Sequence, residues 1–109
     1  MNDRDKKLIS ELREKAPPAL AEHVKQMIIF GSRARGDSTE DSDLDVLVLV
    51  DEKTPQIEQG LDDVAYQVMW DHDFRPIISL KVFELSKYRD LVNKGFSFYK
   101  HIEMEGVAV

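Results

Sequence analysis

The stretch from Asp43 to Val50 constrains the fold more than any other. Its even positions, Leu44, Val46, Val48 and Val50, are all apolar, whereas its odd positions begin with Asp43 and Asp45 and turn apolar at Leu47 and Leu49. Alternate side chains of a strand share a face. One face of this strand is therefore apolar throughout, and the other is wet only at its beginning, which marks a cleft rather than an exposed face. Gln26 to Phe30 is a second short apolar run, the signature of a central strand covered on both sides. The two runs are joined by Gly31-Ser32-Arg33-Ala34-Arg35, which starts a short helix, and by the polar loop Gly36 to Ser42.

The other segments place helices around these strands. Asp3 to Lys15 reads as a helix capped by Asn2 or Asp3, with Leu8, Ile9, Leu12 and Ala16 as its apolar stripe. Pro17-Pro18 ends it, and Ala19 to Val24 adds one helical turn. Thr54-Pro55 opens a long helix whose apolar positions run from Ile57 through Leu61, Val64, Ala65, Val68 and Met69 to about Trp70. Ile77 to Phe83 reads as a third strand, and two helices follow, ending at Gly95 and Gly106. The order α-(α)-β-α-β-α-β-α-α predicts an α/β (α+β) fold: a small mixed sheet of three or more strands with helices mainly on one face. A length of 109 residues predicts one domain, residues 1–109.

Charge and composition exclude several classes. Residues 1–36 carry eight Lys/Arg against five Asp/Glu, and residues 37–109 carry seven against sixteen. Such an acidic chain lacks the clustered basic face that nucleic-acid binding requires. With no cysteine there is no disulfide framework or thiolate chemistry. The apolar runs are too short to span a membrane, and the first seven residues lack the apolar core of a signal peptide, so a soluble, cytoplasmic protein is expected.

The chemistry concentrates around the first loop. Asp43 and Asp45 point to one spot, as a divalent metal carrying a polyphosphate requires. Gly31 lets the backbone approach an anion, and Ser32 adds a hydroxyl and an N–H where a helix begins. Arg33 and Arg35 either face solvent or meet phosphate oxygens. Asp41, Asp43, Asp45 and Glu52 also match positions 1, 3, 5 and 12 of a calcium loop, but position 6 is Val46 where a glycine turn is needed. His23, His72 and His101 have no metal-ligand spacing. Tyr66, Met69, Trp70 and Phe74 are expected in the core rather than as a base-stacking platform. Phe96, Phe98 and Tyr99 suit either a core or a partner interface.

Gly31-Ser32, ten residues, then Asp43-x-Asp45 resembles the signature of the polymerase-beta-like nucleotidyltransferases, and the flanking residues Ile29 to Gly36 and Ser42 to Val48 resemble the minimal branch of that superfamily. The resemblance implies the nucleotidyltransferase fold, catalytic and metal-holding roles for Asp43 and Asp45, nucleotide binding by Gly31, Ser32, Arg33 and Arg35, and one or two Mg²⁺ ions with ATP as substrate. It further implies AMP transfer to a hydroxyl, commonly a tyrosine, of a HEPN-domain partner in a toxin–antitoxin pair, and a homo- or hetero-oligomer. Enzymes of this kind usually bring a third acidic residue from the next strand. Here Ser79 stands at that position, leaving Asp73, Glu84 or a group of the acceptor as the base. That departure raises a rival expectation, a module that neutralises its partner by binding alone. A small-molecule nucleotidyltransferase is the third, weaker alternative.

Overall fold

The computed structural model describes residues 2–109. Helix α1 (Asp3–Lys15) is followed by α2 (Pro18–Ala21), β1 (Val24–Phe30), α3 (Ser32–Arg35), β2 (Leu44–Val50) and α4 (Pro55–Asp71). The chain then forms β3 (Ile78–Glu84), α5 (Leu85–Asn93), α6 (Ser97–Glu105) and β4 (Val107–Ala108). The helix starts follow the expected chemistry. The Asn2 side chain accepts from the N–H of Arg4, and Thr54 Oγ1 accepts from the N–H of Ile57 with Pro55 in the first turn.

The four strands form one mixed sheet in the order β3-β2-β1-β4. β1 runs antiparallel to both β2 and β4, and β2 runs parallel to β3. β4 was not expected from the sequence. It pairs with Ile28 and Ile29 of β1, which makes β1 a central strand. Gly106 permits this closure: a Cβ there would lie 2.6 Å from Ile28 Cγ2 and 2.4 Å from the Ile102 carbonyl oxygen. The turn after the first helix is also shorter than expected, because Val24 already belongs to β1.

Two cores cover the sheet. The larger lies on one face, where Leu8, Ile9 and Leu12 of α1 and Ile57, Leu61, Val64 and Val68 of α4 pack on the even face of β2. The opposite face carries a smaller core, in which Tyr88 of α5 and Ile102 of α6 cover Ile28, Phe30, Leu47 and Leu49. Every residue of β2 except Asp45 is buried, as a strand sandwiched between two helical layers must be. Among the described residues no helix is long and apolar enough to cross a membrane.

Tyr66 and Trp70 depart from the expected core placement, being 55% and 62% exposed. Helical geometry explains it, since Tyr66 lies roughly 200° around the axis from the buried Val64. With Phe74 the two rings form an outward cluster with centroids 5.5–6.4 Å apart.

Candidate active site

The site occupies the end of the sheet where β1 leaves and β2 and β3 enter, on the face of the smaller core. Register puts Phe30, Asp45 and Ser79 side by side across β1, β2 and β3, with Ile28, Leu47 and Lys81 in a second row behind them. Asp45 is half-buried, and Asp43, just before the strand, is exposed. Burial, the neighbouring Asp43 charge and, in opposition, Lys81 act on the Asp45 carboxyl, with a net upward shift from the usual carboxylate range. Two adjacent carboxylates at the mouth of a half-buried cleft attract a divalent cation.

Gly31 stands directly against Asp45. Its φ of +78° lies in the left-handed region that glycine tolerates, and a Cβ there would sit 2.7 Å from Asp45 Oδ2. The Gly31 backbone thus borders the carboxylate directly. Half-buried Ser32 follows it at the first position of α3. Gly31, Ser32, Asp43 and Asp45 thus stand at the adjoining ends of β1, α3 and β2.

Arg33 is not available to a phosphate, contrary to that expectation. Its side chain is 7% exposed and donates from Nη1 to both carboxylate oxygens of Asp5, at 3.1 and 3.3 Å. Its Nε and Nη2 donate to the carbonyls of Ser42 and Glu40, at 2.9 and 3.1 Å. The guanidinium therefore binds α1 to the acidic loop that delivers Asp43. Arg35 differs. It is exposed, with Asp37 at 3.2 Å and Glu105 at 3.7 Å, pairs of the kind that contribute about 0–1 kcal/mol and yield readily to a better anion.

Ser79, the register partner of Asp45, stands where a third carboxylate would be expected. Glu84 stands beside Val50, at the far end of the strand, roughly 17 Å from the Asp45 row. Its carboxylate accepts from Ser86, so it is excluded as the base. Asp73 lies in the exposed turn after α4 with a φ of 56°. Among the described residues no group of three or more His, Asp or Glu is placed to hold a metal. The residues present still fit one magnesium ion, which takes few protein carboxylates and completes its shell with water and phosphate oxygens. Lys81, whose parity with Ser79 already put it on this face in the sequence, faces the site, although the sequence reading gave it no role.

Comparison with known proteins bears on the family and the fold. A family model described as a nucleotidyltransferase domain matches residues 5–105. Two relatives in Methanocaldococcus jannaschii, each named a putative protein adenylyltransferase, are similar to the chain. One is 35% identical over 91 residues, covering 81% of this chain and 92% of the relative; the other is 37% identical over 65 residues, covering 59% and 58%. A crystal structure of a putative nucleotidyltransferase from Sulfolobus solfataricus superposes with a TM-score of 0.60 at 20% identity, covering 96% of this chain and 78% of that one. A crystal structure of a toxin-antitoxin with AMP-PNP gives 0.58 at 20% identity, covering 95% and 70%. At that identity the two structures establish the fold. The glycine-walled carboxylate pair lies within the matched residues, and the chain belongs to the nucleotidyltransferase domain family.

Proposed function

We propose that the chain transfers AMP from ATP to a hydroxyl of a partner protein, releasing pyrophosphate. The observation that carries the reading is the contact of the Gly31 backbone with the Asp45 carboxylate, with Asp43 beside it at the open end of the sheet. In the proposal Asp43 and Asp45 hold the magnesium ion of ATP, and Gly31 and Ser32 meet the phosphates through backbone N–H groups and the serine hydroxyl. Arg35 swings from Asp37 and Glu105 to a phosphate oxygen. Held by Asp43 and Asp45, a magnesium ion would supply charge stabilisation at the α-phosphate. Arg33 and Asp5 keep the Asp43 loop in place and touch no substrate.

The partner is read as a HEPN-domain toxin, with this chain as its antitoxin. The resemblance of the motif supports that reading, and so does a structural neighbour that is a toxin-antitoxin with AMP-PNP. No protein base stands at Ser79, and a missing positioned base typically costs about 10² to 10⁴ in rate. Modification of a bound partner tolerates slow chemistry. The same residue favours the second reading, neutralisation by binding alone. Incubation with α-labelled ATP, Mg²⁺ and the partner decides between them. Label on the partner that vanishes with Asp43→Asn/Asp45→Asn is expected; neutralisation that survives this variant without label would favour the binding module.

A further inference from the structure

Lys81 has no part in the function proposed above, yet it faces the same site. β3 lies at the sheet edge in a register that sets Ser79 beside Asp45 and Lys81 beside Leu47. Residues of one parity share a face, and Phe83, of the same parity, packs on the core formed by Ile28, Leu47 and Leu49. Lys81 therefore stands on the carboxylate face, about 7 Å along the strand from Ser79. Its flexible four-carbon stem lets the ammonium swing toward Asp43 and Asp45. It is exposed, and the lysine ion pairs of the described residues involve Lys15, Lys25, Lys53 and Lys94 instead.

Charge balance gives this placement a consequence. Two carboxylates and one ammonium leave a single formal negative charge, which one divalent ion converts to a single positive one. A site with three carboxylates needs two divalent ions to reach the same balance. A second ion beside Ser79 would find a neutral hydroxyl in place of an anionic oxygen and a cationic side chain within reach. We propose that this is a one-metal site, in which the Lys81 ammonium supplies, at the β3 flank of Asp43 and Asp45, the positive charge that a second ion brings where a carboxylate replaces Ser79. The inference rests on the nucleotide-binding reading above and adds to it the number of ions and a triphosphate-binding role for Lys81.

Equilibrium dialysis against Mn²⁺ and AMP-PNP, with both counted per chain, tests it. The unmodified protein retains one Mn²⁺ per bound nucleotide, and Ser79→Asp/Lys81→Leu retains two. Lys81→Gln keeps the ratio at one and binds the nucleotide about tenfold more weakly, the loss expected for one charge-assisted contact. Thermal melts confirm that these variants fold, as expected for an exposed lysine and a half-buried serine at the sheet edge. Two ions per nucleotide on the unmodified protein, or unchanged nucleotide affinity in Lys81→Gln, overturns the inference alone. No retained nucleotide on any folded variant overturns it together with the reading beneath it.

Discussion

Oδ2 of Asp45 lies where a side chain on Gly31 would have to begin, 2.7 Å from the position of its Cβ. The turn and the carboxylate are built around each other, and the positive φ of Gly31 adds backbone strain to any substitution. Gly31→Ala is expected to destabilise the protein by about 1–2 kcal/mol. It should also push Asp45 out of line with Asp43, lowering label transfer at least about a hundredfold. Urea melts and the transfer assay check the two effects separately. Activity retained in Gly31→Ala would show that the contact is incidental.

The Arg33–Asp5 pair is buried, so its removal differs from loss of a surface ion pair. Leaving one buried charge without its partner costs about 3–5 kcal/mol, against about 0–1 kcal/mol for exposed pairs such as Lys94–Asp90. Asp5→Ala is therefore expected to lower the urea midpoint strongly, and at permissive temperature to weaken nucleotide binding by loosening the loop before Asp43. If Arg33 instead met the triphosphate, Arg33→Ala would reduce nucleotide affinity while Asp5→Ala left it unchanged.

Much of this arrangement was legible in the chain, and the exceptions have a common cause. Strand and helix positions followed from local signals: the Thr54 cap, the Pro17-Pro18 stop and the parity of Leu44 to Val50. The role of Arg33 was not legible, because its partner Asp5 is 28 residues away and only the docking of α1 brings them together. β4 escaped because two residues cannot display an alternation. Trp70 is a different case. Counting around the helix from Val64 and Val68 would have put it outside, but its size and apolarity argued for the core.

That placement has an optical consequence. Trp70 is the single tryptophan of the chain, and it is 62% exposed. Its emission should be red-shifted and accessible to iodide in the folded state, and Trp70→Ala should change stability by no more than about 1 kcal/mol. A blue-shifted, shielded emission would contradict the exposed position.

The Asp45 carboxyl supplies a pH dependence. Burial is the largest cause of its upward shift, followed by Asp43. The folded, metal-free protein therefore holds this proton more tightly than the unfolded chain. The resulting stabilisation is full below the ordinary aspartate range and is lost as pH rises through the raised value. Asp45→Asn, which carries no charge, is expected to melt at a higher temperature than the unmodified protein at neutral pH without metal. The gain should shrink as pH falls through the raised value and vanish below the ordinary aspartate range, about 4. An equal gain at all pH values would assign it to packing instead.

Calorimetric titration of ATP with Mg²⁺ tests the central claim most directly. The account predicts one nucleotide bound per chain, with the heat lost when magnesium is withheld or when Asp43→Asn/Asp45→Asn replaces the pair. Undiminished heat in that variant, or none with the unmodified protein, would contradict it.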